Sequence, residues 1–190
     1  MQAFFSMLAE SFDLPILDWI QSNLQCGFLD FIMPIITLFG DAGIFWIACS
    51  VILLLIPKYR KVGLSMGFAL LLGLLVCNVT LKPLCQRIRP YDYQLQYFQR
   101  EIVLLIEAQH DFSFPSGHTI ASFEACTALM IRNKKLGIPA TILAIMIAFS
   151  RMYLYVRYRT DVIASVILGI GFGFIGCWLV DKLAQKFPKL

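Results

Sequence analysis

The chain has 190 residues, of which 59% are hydrophobic and 15% are charged, and its net charge is +4. A soluble domain averages about 25% charged residues. The low charged fraction and the mean hydropathy of +0.75 therefore exclude an ordinary soluble protein. The length suits one domain, so residues 1–190 are interpreted as a single membrane-embedded domain.

The first 22 residues mix large apolar side chains with Glu10, Asp13 and Asp18. They have no basic start and no uninterrupted apolar centre, so they do not form a cleavable signal peptide. The pattern fits an amphipathic helix that lies at the membrane interface. An ordinary lead-in to the first span fits it equally well.

Long apolar runs follow the N-terminal segment. Gly63–Leu81 and Val162–Val180 are each nineteen residues without a charge, and a hydrocarbon core about 30 Å thick needs about 20 apolar residues of helix. The expected fold is all-α, a polytopic bundle of six transmembrane helices plus the N-terminal interfacial helix. The expected spans are about 24–40, 42–58, 62–83, 116–133, 135–157 and 161–183. Asp30 and Pro34 interrupt the first span, and a re-entrant segment remains open there.

Basic residues sort by loop under this count of spans. Nine of the sixteen Lys and Arg residues share one face, which the positive-inside rule makes cytoplasmic together with both termini; they are Lys58, Arg60, Lys61, Arg132, Lys134, Lys135, Lys182, Lys186 and Lys189. The other seven lie on the outer face, against the rule; they are Lys82, Arg87, Arg89, Arg100, Arg151, Arg157 and Arg159. Binding an anionic head group explains a basic cluster in that position.

Three stretches at span ends can converge on the outer face. The first runs from Lys82 to Pro90, the second is Pro-Ser-Gly-His at 115–118, and the third runs from Ser150 to Asp161. The motif loops 82–118 and 150–161 carry all three. Each lies at the same end of its span, so the sequence predicts one shared site.

The first two stretches suit phosphate binding. Lys82 supplies a point charge and Arg89 a planar fork, both common partners of phosphate oxygens. Ser116 is a candidate helix cap, and the free amides of Gly117 and His118 at that helix start would face an anion. His118 can also donate a proton to a leaving oxygen.

The third stretch adds charges to the same place. Arg151 lies in the outer turns of a span, where an ionised side chain is costly and therefore points to function. Asp161 lies in the first turn of the last span. Arg157 is four residues before Asp161, a spacing that suits either a salt bridge in a helical turn or a phosphate contact.

The order K-x6-R-P, P-S-G-H and S-R-x5-x-x3-D resembles the type-2 phosphatidic acid phosphatases, which are integral-membrane lipid phosphatases. The resemblance implies metal-independent hydrolysis, without a cofactor, of phosphatidic acid, phosphatidylglycerol phosphate or polyprenyl diphosphates such as undecaprenyl diphosphate. It implies phosphate contacts from Lys82, Arg89, Ser116, Gly117 and Arg151, and leaving-group protonation by His118. A second histidine, oriented by Asp161, would attack phosphorus.

That second histidine is absent. The resemblance places it at position 157, where this chain has Arg157. A guanidinium stays protonated and offers no lone pair to phosphorus. Arg157 is therefore interpreted as a further phosphate contact, and activity is expected to be very low or lost.

Three explanations remain open. The chain is a non-catalytic binder, transporter component or regulator for phosphorylated lipids; it turns over slowly with His118 attacking directly or activating water; or it carries an inactivating substitution. His110, the only other histidine, either enters the site or is a solvated loop residue. Glu124, six residues beyond His118 and on another helix face, is expected to pair with a cation such as Lys82 or to sit protonated against a neighbouring helix.

Other classes fit less well. The arginines cluster at one face and do not repeat along one span, which argues against a channel or a voltage sensor. The six cysteines have no paired spacing and are interpreted as packing residues, not as a metal site. The expected partners are the lipid bilayer and a phosphorylated lipid, with no nucleic acid, and the expected location is a bacterial inner membrane with the site on the periplasmic side.

Overall fold

The computed structural model describes residues 2–186, and this part of the chain is helical without strands. The α-helices, numbered along the chain, are α1 Gln2–Leu8, α2 Leu14–Leu24, α3 Gly27–Leu38, α4 Ile44–Leu55, α5 Arg60–Gly73, α6 Lys82–Cys85, α7 Pro90–Phe98, α8 Gly117–Arg132, α9 Lys134–Tyr153 and α10 Arg159–Lys186. Two π-helical segments, Ala9–Asp13 and Leu74–Leu81, and two 3₁₀ turns, Asp41–Gly43 and Pro57–Tyr59, connect some of them.

Four helical stretches are long and apolar enough to cross a membrane, namely Gly27–Leu55, Pro57–Phe98, Lys134–Tyr153 and Arg159–Lys186. The chain is therefore an integral membrane protein by length and composition. The predicted count of six spans is not confirmed. Helix α8 has only 16 residues, yet it packs against α5, α9 and α10 at the centre of the bundle.

Close packing of α8 against α10 depends on glycines of the last helix. A methyl group at Gly169 would meet Phe123, one at Gly173 would meet Thr127, and one at Gly176 would meet the backbone of α5. Gly171 faces open space instead. Small residues at the contact let the helix backbones approach closely. Membrane helices associate through such packing, because burial of apolar surface contributes little free energy of association in a lipid bilayer.

Contacts at helix ends define two faces of the bundle. At one end Ser116, just before α8, donates its backbone N–H to Ser165 of α10 at 2.8 Å. At the other end Arg132, the last residue of α8, contacts Ser65 of α5 at 3.0 Å and Asp181 of α10 at 2.7 Å. We call these ends the site face and the opposite face. The described basic residues that were predicted to lie together do so, because α4, α8 and α10 all end at the opposite face.

Helix α3 differs from the predicted span 24–40. Near its start, Asp30 accepts a hydrogen bond from the Tyr153 hydroxyl at 2.6 Å, at the site-face end of α9. Just beyond its end, Gly40 packs against the side chains of His118 and Ile147. Both ends therefore stay near the site face. Ala42 and Gly43, with φ of 48° and 68°, then turn the chain into α4, a conformation that glycine adopts without strain.

The N-terminal helices also lie on the site face. Asp13 forms an ion pair with Arg87 at 2.7 Å, and Asp18 pairs with Arg100 at 2.9 Å. Helix α10 starts at the site face and ends at the opposite one. The N-terminal segment and the end of α10 thus lie on different faces, which corrects the prediction that both termini share the cytoplasmic side. Lys189 is outside the described residues.

Candidate functional site

A cavity of about 670 Å³ extends from the site face between α4, α5 and α8. Polar and charged groups line the end near the site face, namely Lys82, Gln109, Asp111, Gly117, His118 and Arg157. Apolar residues of α4 and α5 line the deeper part, as far as Leu54 and Gly63. A charged end joined to a long apolar end suits an amphipathic ligand.

The start of α8 is built as the sequence predicted. Ser116 is the N-cap, and its hydroxyl accepts a hydrogen bond from the Thr119 N–H at 3.4 Å. That side chain is fully buried and is used by the cap, so it does not face the cavity. Gly117 does line the cavity, next to the Asn78 amide. Of this pair, only Gly117 is placed to approach a ligand.

Lys82 and Arg89 meet at one carboxylate. Lys82 Nζ pairs with one oxygen of Asp111, and Arg89 Nη2 pairs with the other. Arg89 also donates to the Asp111 carbonyl at 2.7 Å and to the Val156 carbonyl at 3.0 Å. The two cations of the first motif therefore already hold an anionic group. The sequence does not single out Asp111, because an acid in an exposed loop carries no positional signal.

The electrostatics of Asp111 follow from these partners. Burial by itself raises the pKa of the Asp111 carboxyl, but the hydrogen bond from Lys82 and the charges of Arg89 and Arg157 lower it more. The net result is a pKa well below the usual range of an aspartate. The carboxylate is therefore ionised throughout the neutral range.

Arg151 stands behind the cavity wall. Its guanidinium is fully buried and donates to Thr37 at 2.8 Å and to the Gln109 side chain at 2.7 Å. Gln109 in turn lines the cavity. Arg151, the third predicted cation, thus reaches the site through Gln109. The sequence gives no sign that α3 supports Arg151, because Thr37 lies far from Arg151 in the chain.

Arg157 and Asp161 do not form the ion pair that their spacing suggested. Arg157 lines the cavity and donates through Nη1 to the carbonyls of Phe112, Ser113 and Pro115. It therefore braces the loop before α8. Asp161 instead accepts hydrogen bonds from Arg87 and from the Ser113 hydroxyl. The residue is fully buried behind the cavity and does not line it.

Arg87 connects the site to the N-terminal segment. Its guanidinium contacts both Asp13 and Asp161 and stacks 3.8 Å from the centre of the Tyr158 ring. Thr160 completes the cluster by donating its N–H to Asp13 at 2.8 Å. The sequence predicts only that Arg87 lies on the outer face. It indicates no partner, because both partners of Arg87 are more than seventy residues away in the chain.

His118 also has a carboxylate beside it. Its Nε2 lies 2.9 Å from Oδ1 of Asp41, although the ring nitrogen is not aligned for a hydrogen bond in this geometry. Asp41 sits in the turn between α3 and α4. The pair places an acid next to the imidazole that faces the cavity. The Gly-Asp-Ala-Gly stretch at 40–43 is a turn signal in the sequence. The sequence does not indicate that this turn lies beside His118.

The remaining predicted groups have other places. Arg159 lies over the Phe12 ring at 4.3 Å, so it does not add charge to the cavity as expected. His110 is exposed and does not line the cavity. Glu124 does line it, although six residues of helix put it on a different face from His118. Throughout residues 2–186, no three His, Cys, Asp or Glu side chains gather as a metal site.

Comparison with known proteins accounts for this arrangement. The profile of the PAP2 superfamily matches residues 62–185, a range that contains all three motifs. The chain belongs to the PAP2 superfamily. This is the family suggested by the motif order, so that part of the sequence prediction is confirmed. The fold is a membrane fold of the lipid phosphatase type.

The PAP2 relatives act on several lipids. The chain is 29% identical over 152 residues to the undecaprenyl-diphosphatase of Sulfolobus acidocaldarius, covering 80% of this chain and 70% of the relative. It is 28% identical over 176 residues to the lipid A 4'-phosphatase of Bacteroides thetaiotaomicron, covering 87% and 74%. Their names assign these substrates to the relatives themselves.

Two solved PAP2 structures share the fold. The phosphatidylglycerolphosphate phosphatase from Bacillus subtilis superposes with a TM-score of 0.67 at 26% identity, covering 97% of this chain and 94% of that one. Aquifex aeolicus LpxE superposes with a TM-score of 0.69 at 22% identity, covering 87% and 94%. The second likeness supports the fold alone.

Proposed function

We propose that this PAP2 member binds the phosphate or diphosphate of a membrane lipid on the site face, and that hydrolysis is weak or lost. The observation that carries the proposal is the Asp111 carboxylate held between Lys82 and Arg89 at the charged end of an apolar cavity. A carboxylate and a phosphate accept the same charge-assisted hydrogen bonds. The lipid phosphate takes the place of Asp111, with the cavity beneath it for the chain.

The position of Arg157 supports the loss of hydrolysis. A guanidinium has no lone pair with which to attack phosphorus, and its Nη1 is already bound to loop carbonyls. Asp161, which the resemblance assigns to orienting a histidine, is paired with Arg87. Loss of one member of a nucleophile–orienter unit typically lowers the rate by several orders of magnitude.

The ligand class follows from the relatives and from the cavity. Phosphatidic acid, phosphatidylglycerol phosphate and polyprenyl diphosphates such as undecaprenyl diphosphate are the candidates. Basic residues at the opposite face favour an orientation with the site on the outer side of a bacterial inner membrane. A role as a lipid-phosphate carrier component or regulator on the same fold fits these observations equally.

One observation favours a second candidate, slow hydrolysis. Asp41 lies 2.9 Å from His118 Nε2, so a carboxylate stands beside the imidazole that lines the cavity. His118 would then attack phosphorus itself or activate a water. In that case residual phosphate release depends entirely on His118.

The test is phosphate release by purified protein in detergent, against a panel of lipid phosphates and diphosphates, with His118→Ala and Arg157→His alongside. We expect wild type to release little or no phosphate and Arg157→His to release more, because an imidazole returns to the position from which the family attacks. Binding of the same lipids is measured by competition, where Arg89→Ala should weaken every phosphorylated ligand.

Each outcome has a distinct meaning. Wild type turning over as fast as Arg157→His would refute the loss of hydrolysis. A small wild-type rate that vanishes in His118→Ala supports the second candidate. If the lipid affinity changes neither when the phosphate group is removed nor in Arg89→Ala, the head-group site itself is refuted.

A further inference from the structure

Glu124 is an acid in the apolar part of the cavity that the proposed function does not use. Its residue is 1% exposed, and its carboxyl lies against Gly73 of α5, where any larger side chain would collide with it. Both residues line the cavity. The absence of a side chain at position 73 therefore creates the space that this carboxyl occupies.

The carboxyl lacks a partner. Oε2 has no hydrogen bond to any group of the described chain, and no salt bridge within residues 2–186 includes Glu124. The expected pairing with Lys82 does not occur, since Lys82 is bound to Asp111. An unpaired buried polar group costs free energy. In apolar surroundings without a cation, the neutral acid is the form expected.

The position of Glu124 relative to the charged end is set by α8. Gly117, Ala121 and Glu124 share one face of the helix, and all three line the cavity. Six residues from His118 to Glu124 correspond to about 9 Å along the axis. Along an extended chain this distance is about seven bonds, so a lipid with its phosphate at the cations reaches the level of Glu124 near the point where acyl groups are attached.

Lipid phosphates differ in what they present at that depth. A polyprenyl chain offers only hydrocarbon there. A lipid whose chains are attached through esters or amides near the head group offers a carbonyl oxygen. We propose that the Glu124 acid donates a hydrogen bond to this carbonyl oxygen, so that it selects acyl-linked lipid phosphates over polyprenyl phosphates. The proposal rests on the phosphate site described under the proposed function.

The test compares three ligands that share a phosphate, and the first two also share chain length. Dioleoyl phosphatidic acid has ester carbonyls, its dialkyl ether analogue has none, and a polyprenyl phosphate has none. Equilibrium affinity is measured by competition with a fluorescent lipid phosphate in detergent. We expect wild type to bind the ester lipid about three- to tenfold more tightly than the ether analogue, the range of one net hydrogen bond.

Two variants locate the effect. Glu124→Leu should lose this preference through weaker binding of the ester lipid alone, whereas Glu124→Gln should keep it because the amide still donates. If Glu124→Leu does not fold, the preference for the ester lipid over the ether analogue is compared between wild type and Glu124→Gln, and both should show it. Equal affinity of wild type for ester and ether lipids, or a preference that persists in Glu124→Leu, would overturn the proposal.

The experiment separates this proposal from the previous one. When all three phosphorylated ligands compete and Arg89→Ala weakens them all, the phosphate site stands whatever Glu124 does. When none competes, the phosphate site itself fails. A cationic amphiphile that binds more tightly than the phosphatidic acid, and loses affinity in Glu124→Gln, would show that Glu124 acts as a carboxylate and would also overturn the hydrogen-bond proposal.

Discussion

Two cations meet one carboxylate where the cavity reaches the site face. Lys82 and Arg89 both contact Asp111, whose side chain is 49% exposed. The cation side chains are 14% and 1% exposed, so solvent reaches these ion pairs from the Asp111 side only. Asp111 competes with any phosphate for the same donors.

Removal of this competitor should strengthen binding. Asp111→Asn leaves Lys82 and Arg89 without a charged partner, so we expect a lipid phosphate to bind about tenfold more tightly, equivalent to about 1.4 kcal/mol. Competition binding in detergent measures the change. Glu101→Gln is the matched control, because Glu101 is an exposed loop acid and forms no salt bridge within the described chain.

Acid should not reproduce the effect of the substitution. A carboxyl with a depressed pKa keeps its charge and its stabilising contribution above its unfolded pKa, about 4, and loses them only as pH falls further. The pKa of Asp111 is shifted downward. Wild type that gains the full affinity of Asp111→Asn between about pH 7 and pH 5 would contradict this electrostatic explanation.

At the scale of elements, the contact between α8 and α10 positions the site. Thr127 of α8 faces Gly173 of α10, where a methyl group would lie 2.5 Å from the Thr127 Cβ. The start of α8 is tied to the same helix through Ser165. Separation of the two helices would therefore displace Gly117 and His118 from the cations.

A pair of glycines two residues apart tests this packing. Gly173→Ala should destabilise the protein by about 1–3 kcal/mol, the usual cost of inserting a methyl group into a packed contact. Gly171→Ala should be neutral or slightly stabilising, since position 171 faces open space and alanine is the better helix former by about 1 kcal/mol. Thermal unfolding in detergent compares them, and equal unfolding temperatures would argue against close contact at position 173.

For the whole molecule, the N-terminal segment and α10 determine sidedness. Asp13 and Arg87 are buried and form one cluster with the partly buried Thr160, so the N-terminal helices are joined to the site face. Helix α10 has 28 residues, about 42 Å at 1.5 Å each. It therefore carries the chain from the site to the opposite face.

Labelling with a membrane-impermeant maleimide tests this topology. A cysteine introduced as Asn23→Cys should react in cells whose outer membrane is permeabilised while the inner membrane stays intact, because α2 lies at the site face. Gln185→Cys should react only after the inner membrane is permeabilised as well. The excess over wild type is measured, since the chain has six native cysteines. Equal reactivity at both positions before permeabilisation would restore the arrangement with both termini together.

The sequence was sufficient where the signal is local. Apolar runs predicted a helical membrane protein, the Pro-Ser-Gly-His stretch predicted a capped helix at Gly117, and the order of the motifs predicted the superfamily. Lys82, His118 and Arg157 were expected to meet, and they line one cavity. Chain-local features such as run length and capping depend on neighbours in sequence, which is why they could be predicted.

Only the tertiary structure decided which charges pair. Arg157 and Asp161 have the spacing of an ion pair, yet Arg157 binds loop carbonyls while Asp161 binds Arg87. Asp111 and Asp13 became partners of cationic side chains, and Asp41 a neighbour of His118, through chain folding and not through proximity in sequence. Electrostatic partners are chosen by distance in space and by burial, and both are set by how the helices pack.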